Sequence, residues 1–288
     1  MTHPSLDRFL GRSRTVFAEG PVALIFIEDE VEIASTIDHH LGRGFAAVLA
    51  LMPDAFALPE TGGGRVHRIR FDPGPETAVA EAVNRVIAAA PGAWLYYGYN
   101  AEYLFYPFCE SRSVGEMLAF HAEERRDAML TYVIDLYAGD LGETPDAVNP
   151  ARAYLDRSGY YAQSRIDPAT GQQRERQLDF FGGLRWRFEE HVPPDRRRID
   201  RIGLFRARSG LRLGTDLLFD DPEYNTYACP WHHNLTAAIC SFRTAKALKR
   251  NPGSTFEIDS FLWHGSVPFE WRSGQLLDLG LMEPGQWF

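Results

Sequence analysis

Carboxylates stand directly after apolar runs at several places in this chain, and such positions can do chemistry. Glu28-Asp29-Glu30 follows Val22–Ile27, Asp54 follows Phe45–Leu51, and Glu102 lies just past Ala93–Tyr97 with Asn100. Asp135 ends the run Met129–Asp135. Carboxylates of this kind accept hydrogen bonds from a nucleobase or ribose, or hold a divalent cation that meets a diphosphate. Glu102 sits among aromatics, where burial raises a carboxyl pKa and suits it to general acid or base work; pairing with a buried arginine is the other outcome for it. Asp135 is a base candidate by its place at a strand end. The string Trp231-His232-His233-Asn234 offers a metal ligand, a phosphate donor or a base. It also fits a helix cap at Asn234, with the histidines packed on Trp231.

The elements that must position these residues are legible from periodicity. Val22–Ile27, Phe45–Leu51, Ala93–Tyr97 and Met129–Asp135 are short, largely apolar runs of strand type, and Val66–Phe71 reads as a further strand. Val31, Ile33, Ala34, Ile37 and Leu41 recur at helical spacing before Gly42 and Gly44, and Val79–Ile87 makes a second helical face. Ser113 and Glu116 have capping-box spacing at the head of a helix that reaches about Arg126. Strands alternating with helices predict an α/β fold with a mostly parallel, doubly wound sheet, whose ligands sit outside the carboxyl ends of the strands. The later half is less regular. Ile202–Arg206 and Leu211–Leu213 read as short strands and Leu235–Arg250 as a helix stopped by Asn251-Pro-Gly253. No repeat or linker divides the chain, which reads as one domain over 1–288 with halves 1–140 and 141–288.

Several chemistries are excluded by what is missing. No Gly-x-Gly-x-x-Gly or Walker-type loop follows the first strand, where acidic residues stand instead, so a pyrophosphate resting on that helix N-terminus is not expected. There is no Gly-x-Ser-x-Gly elbow and no His-Glu-x-x-His.

The segment Ile25–Glu30 with Ile37–Gly44 resembles the start of bacterial family-2-like glycosyltransferases. There a strand ends in Lys-Asn-Glu and the next helix carries His-x-x-x-Gly; here Glu28-Asp29-Glu30 and His40 with Gly44 take those places. Asp54 is what remains of the family's Asp-Asn-x-Ser. Trp94–Leu104 resembles the family's Trp-led Asp-x-Asp-Glu-Phe-Leu segment, with Tyr99 and Ala101 in the two aspartate places and Glu102 kept. Met129–Gly139 and Ser241-Phe-Arg243 resemble later family segments. The resemblance implies the A-type glycosyltransferase fold, with a Rossmann-like nucleotide-binding half and an acceptor and phosphate half. It implies sugar transfer from a nucleotide-sugar donor to a glycan or lipid-linked acceptor, as in polysaccharide biosynthesis. Glu28, Glu30, Asp54, Asn100, His233 and Arg243 would then contact the donor, and Glu102, His232 and Asp135 would serve catalysis. The Asp-x-Asp pair normally binds Mg²⁺ or Mn²⁺, which Tyr99 and Ala101 cannot do. Three explanations stand: Glu102 with His232 or His233 binds a divalent metal; arginines, Arg185 and Arg187 among them, replace it as a phosphate clamp; or the chain binds a nucleotide or glycan without transfer. Glu28 and Glu30 equally suit N-terminal helix charge, Asp54 a turn, and His39 and His40 a helix C-terminus.

Composition bounds the rest. The net charge is −9 over 288 residues, with a balance of −11 over 1–150 and +2 over 151–288, where 14 arginines meet 8 acids between 152 and 212. An acidic chain of this kind is a poor nucleic-acid binder. Apolar residues make up 45% of the chain, enough for a buried core, and no run approaches the ~20 apolar residues of a membrane span. The first residues carry no secretory signal pattern. The three cysteines form no Cys-x-x-Cys, so a reducing cytoplasm is the expected location. Aromatics at 13% can stack on sugar rings, Tyr160-Tyr161 among them, and Gly182-Gly183 permits close backbone approach. Core packing and an ordinary turn account for the same residues.

Overall fold

The computed structural model describes residues 1–12, 14–228 and 233–287. In chain order the elements are β1 (Thr2–His3), α1 (Leu6–Arg12), β2 (Val22–Phe26), α2 (Ile33–Gly42), β3 (Ala47–Met52), β4 (Val66–Arg70), α3 (Ala78–Ala89), β5 (Trp94–Tyr99), β6 (Glu102–Phe105) and α4 (Val114–Glu123). They continue with β7 (Ala128–Ala138), β8 (Ala153–Asp156), β9 (Tyr161–Ile166), β10 (Gln173–Phe181), α5 (Gly183–Arg187), β11 (Asp200–Arg206), β12 (Ala237–Ser241), α6 (Arg243–Arg250), β13 (Ser266–Pro268) and α7 (Ser273–Asp278). The protein is α/β, and its sheet pairing is mixed but mostly parallel. Among the described residues no helix is long and apolar enough to cross a membrane.

The chain forms two interleaved compact units. The first comprises Met1–Tyr103, Cys109–Leu130 and Ile202–Asn225, and the second Leu104–Phe108, Thr131–Arg201 and Thr226–Phe288. In the first unit β1, β4, β3, β2 and β5 lie side by side and parallel, and the Leu204–Arg206 end of β11 adds antiparallel to β5. Val22–Phe26 and Ala47–Met52 are buried along their whole length, which is why they read as unbroken apolar runs rather than alternating ones. The predicted capping box opens α4. The Ser113 hydroxyl accepts the Glu116 amide at 3.3 Å, and the Glu116 carboxylate accepts the Ser113 amide at 2.8 Å.

In the second unit β12 runs parallel to β7, Leu136–Ala138 pairs antiparallel with β8, and β8 pairs antiparallel with β13. β9 and β10 form a separate antiparallel ribbon. Tyr137, Leu184, Ala245, Leu248 and Phe261 pack together as an apolar core.

Two expectations are corrected. Leu235–Arg250 is not one helix: Ala237–Ser241 is a fully buried strand, and only Arg243–Arg250 is helical. A short run of small apolar residues has no periodicity of its own, and β7 supplies the parallel hydrogen-bond partners that decide for a strand. Leu211–Leu213 forms no strand; only an isolated bridge joins Leu213 to Phe219. The region read as irregular also holds β8, β9, β10 and β13, which lack the clean alternation that marks a half-buried strand.

Candidate functional site

Residues with site potential occur in both units. In the first, the sheet reverses its build direction between β2 and β5, because β3 and β4 lie to one side of β2 and β5 to the other. The crevice outside the carboxyl ends at such a switch point is where open α/β sheets bind ligands. Glu28-Asp29-Glu30 leaves β2 there and Asn100 leaves β5. Asn100 is fully buried and clasps the acidic loop. Its Oδ1 accepts the Glu28 amide at 2.9 Å, and its Nδ2 donates to Asp29 Oδ1 at 2.6 Å and to the Val31 carbonyl at 2.8 Å. The amide of Asn100 is thereby spent on the loop, so it shapes the crevice. Glu28 is half-buried and Glu30 exposed.

The turn after β5 is held by backbone and side chain together. Ala101 has a left-handed φ of 59°, and its amide donates to Thr36 Oγ1 at 2.8 Å. Thr36 in turn donates to the Glu32 carbonyl at 2.6 Å. Glu102 is buried, and its Oε2 accepts the Tyr99 amide at 3.0 Å. His40 donates from Nδ1 to the Thr36 carbonyl at 2.8 Å, and its buried Nε2 has no partner among the described residues. Burial pushes the His40 pKa down to about 4, against the opposing pull of the Thr36 carbonyl and the Glu102 charge, so its ring is neutral at pH 7. Tyr103 donates to or accepts from Ser35 Oγ at 2.9 Å, and burial raises its pKa.

The place of the Asp-x-Asp pair does not fit a metal. Ala101 brings no side-chain oxygen and Tyr99 a phenol in place of a carboxylate, Asn100 is committed to the loop, and Glu102 gives one oxygen to the Tyr99 amide. No group of three or more His, Cys, Asp or Glu suited to a metal ion exists among the described residues. Asp54 is exposed one strand away, paired with Arg70 Nε at 2.9 Å and Arg68 Nη1 at 3.6 Å.

Because three short hydrogen bonds converge on one buried amide, Asn100→Ala is expected to lower stability by about 2–4 kcal/mol and to loosen the 28–31 loop. Urea unfolding gives the first effect. Faster amide hydrogen exchange at residues 28–31 than in β3 gives the second.

In the second unit two buried aspartates have opposite fates. Asp156, at the end of β8, is saturated. Tyr137 donates to its Oδ1 at 2.5 Å, Trp263 Nε1 at 2.7 Å, and Arg187 Nε to Oδ2 at 2.9 Å. Asp135, inside β7, is equally buried but more loosely held, with the Thr244 hydroxyl and the Arg185 backbone amide as its neighbouring donors. Its nearest counter-charge is Arg185 Nε at 3.7 Å, and that guanidinium is shared with Thr244 Oγ1 and the Arg198 carbonyl. Burial raises the Asp135 pKa, with Asp156 adding to the rise and Arg185 opposing it. Gly183, at φ +63°, lies so close that a Cβ there would stand 2.8 Å from Asp135 Oδ2. The Tyr160 hydroxyl is buried without a partner, and burial again raises its pKa. Buried polar groups in folded proteins are nearly always bonded, and the Tyr160 hydroxyl departs from that rule here.

The structure thus brings Glu28, Glu30 and Asn100 to one crevice with Glu102 behind it, and sets Asp135 beside Arg185 and Thr244. Arg243 is half-buried at the start of α6, its amide donating to Ser241 Oγ at 3.2 Å, and His233 is exposed with its ring edge-on to Tyr227. His232 lies outside the described residues. Arg185 and Arg187 are engaged by the aspartates just described. Asp156 has no sequence signal as a site residue, since it sits in a short segment whose neighbours do not alternate, whereas Tyr160 was marked only as one of the aromatics able to stack on a sugar ring.

No protein-family model matches the chain, and no curated protein matches it.

Proposed function

We propose that the protein transfers a sugar from a nucleotide-sugar donor to a glycan or lipid-linked acceptor, on an A-type glycosyltransferase fold and in the cytoplasm. The observation that carries this reading is the β2/β5 switch point, where Asn100 fixes an acidic loop in the position that nucleoside-binding α/β sheets use. Glu28 and Glu30 accept hydrogen bonds from the base or ribose, Asp54 flanks them, and Glu102 sets the turn beneath the diphosphate. Asp135 is the proton acceptor for the acceptor hydroxyl: a carboxylate whose pKa is raised by burial is a stronger base than an exposed one. Phosphate charge falls to Arg243, His232 and His233, because the Asp-x-Asp place fits no metal.

A second reading is noncatalytic binding of a nucleotide or glycan on the same scaffold. The turn at Tyr99–Glu102 favours it, since its groups are committed to internal hydrogen bonds.

Calorimetric titration with UDP, GDP and their sugars, with and without Mn²⁺, tests both. The transfer reading expects binding that is independent of metal, weakened at least tenfold by Arg243→Ala or His232→Ala, and accompanied by sugar transfer or slow donor hydrolysis. Binding without turnover selects the second reading. Absence of binding to every nucleotide sinks both.

A further inference from the structure

Among the described residues β9 pairs with β10 and with no other strand. In an antiparallel ribbon, successive residues turn their N–H and C=O groups alternately towards the partner strand and away from it. Asp167, just past β9, turns its amide inward and donates to the Gln172 carbonyl at 2.8 Å. Ile166, Ser164 and Ala162 therefore turn their backbone groups outward. All three residues are exposed, and no backbone hydrogen bond from another described residue reaches them from that side.

This edge lacks the features that keep strands apart. Edge strands are normally blunted by lysine, proline, a bulge or a covering loop, because unpaired N–H and C=O groups recruit another strand. Residues 161–166 contain no lysine, proline or glycine. Their one charge, Arg165, is 6% exposed at its side chain and turned onto Asp179 and Asp200. The bulge of the ribbon lies on the other strand, between Gln173 and Leu178. Ile166, at the end of the edge, is 50% exposed.

We propose that β9 is the contact strand of a homodimer, lying antiparallel to the β9 of a second copy across a two-fold axis. A row of outward backbone donors and acceptors calls for an extended strand; a helix, whose amides are spent internally, cannot satisfy it. The side chains then select this strand itself. With Ser164 on the axis, outward-bonding residues meet only outward-bonding residues. Ser164 faces Ser164, and Ile166 faces Ala162, a large side chain against a small one at both ends of the contact. No exposed charge within 161–166 repels its own copy. A foreign peptide added to a sheet edge is selected by pockets for alternate side chains, and Ala162 and Ser164 are too small to build one. One six-residue strand from each copy is a small contact, so the dimer dissociates on dilution. The inference is independent of donor binding and sugar transfer.

Sedimentation equilibrium of the full chain over roughly a hundredfold range in concentration tests the dimer. Reversible monomer–dimer association is expected. Ser164→Pro removes an outward N–H and leaves the ladder to β10 intact, so it should weaken association by about tenfold or more while the dilute protein melts unchanged. Ile166→Lys puts a charge on the edge without touching the backbone and should act in the same direction. Amide exchange carries the signature of strand pairing. Protection of Ala162, Ser164 and Ile166 rises with concentration, whereas Gln163, opposite Asp179 in β10, is protected throughout. A monomer at every concentration overturns the proposal and leaves the edge to a strand of another protein or to solvent. A dimer unmoved by both variants, or exchange at Ala162, Ser164 and Ile166 that ignores concentration, places any contact elsewhere and overturns it as well.

Discussion

Replacing Arg165 with methionine is expected to destabilise the protein by about 3–5 kcal/mol at pH 8, the cost of stranding a buried charge. Arg165 is 6% exposed at its side chain and sits on β9, with Nε 2.7 Å from Asp179 Oδ1 and Nη2 2.7 Å from Asp200 Oδ2. The same guanidinium bonds the Leu178 carbonyl at 3.0 Å and Gln177 Oε1 at 3.3 Å. It therefore ties β9 to β10 and to Asp200, which leads into β11. Arg198 helps, 3.1 Å from Asp179 but 3.9 Å from Asp200. Asp200 also accepts the Phe180 amide at 2.8 Å.

Even with this support, burial raises the Asp200 pKa above its ordinary 3.8, while Arg198 and Arg165 pull it down. An acid with a raised folded pKa lowers stability above that pKa, and the penalty fades as pH falls through it towards 3.8. Removing Arg165 raises this pKa further. The deficit of Arg165→Met relative to wild type is therefore expected to shrink between pH 8 and pH 5, and Asp200→Asn in the same chain should recover part of it. Guanidinium unfolding at both pH values measures the effect. A deficit that is the same at both, or below about 1 kcal/mol throughout, would show that Asp200 does not carry a charge dependent on Arg165.

The second large effect has the opposite sign. Asp135→Asn is expected to stabilise the protein by about 1–3 kcal/mol at pH 8, since it removes a buried charge whose desolvation outweighs its interactions with Arg185 and Thr244. The raised Asp135 pKa fixes the pH dependence: its ionisation costs stability at high pH, and the cost disappears as pH falls towards 3.8. The variant's advantage should therefore narrow on acidification. If Asp135 is the proton acceptor in transfer, the same variant should lose at least a hundredfold in turnover while nucleotide affinity stays within about twofold. Residues kept for function at a cost in stability behave in this way. Loss of stability in Asp135→Asn would instead make Asp135 a structural partner of Arg185 and Thr244. Undiminished turnover would remove it from the chemistry.

The two predictions also separate two kinds of buried charge in one unit. Arg165 and Asp200 are surrounded by partners, so removing one leaves the other exposed to the full desolvation penalty. Asp135 is buried with its charge only loosely opposed, so its removal relieves a penalty already present. Asp156 lies between these cases in geometry: it is as buried as Asp135 but saturated by Tyr137, Trp263 and Arg187.

The local sequence determined what depends on local pattern. Val22–Phe26, Ala47–Met52 and Trp94–Tyr99 were legible as strands because each is an apolar run of strand length bounded by turns or charges, and Val66–Arg70 as a short segment between a glycine-rich loop and a helical face. The head of α4 was legible because Ser113 and Glu116 satisfy each other across three residues. The acidic residues after β2 and Asn100 after β5 were legible as strand-end residues for the same reason. What tertiary structure decided lies at longer range. Ala237–Ser241 became a strand because β7 offers it hydrogen bonds, and Asn100 became a clasp because Glu28 and Asp29, 71–72 residues away, come within bonding distance. The contrast between Asp135 and Asp156 is likewise invisible in sequence. Asp156 ends the short strand β8 and Asp135 lies inside the long β7, and only the folded chain brings Tyr137, Trp263 and Arg187 to donate to Asp156 while Asp135 meets the weaker company of Arg185 and Thr244. Periodicity reports which way a side chain faces. Whether a buried charge finds a partner is set by segments that meet only in the folded chain, and that decides its pKa, its cost and its use.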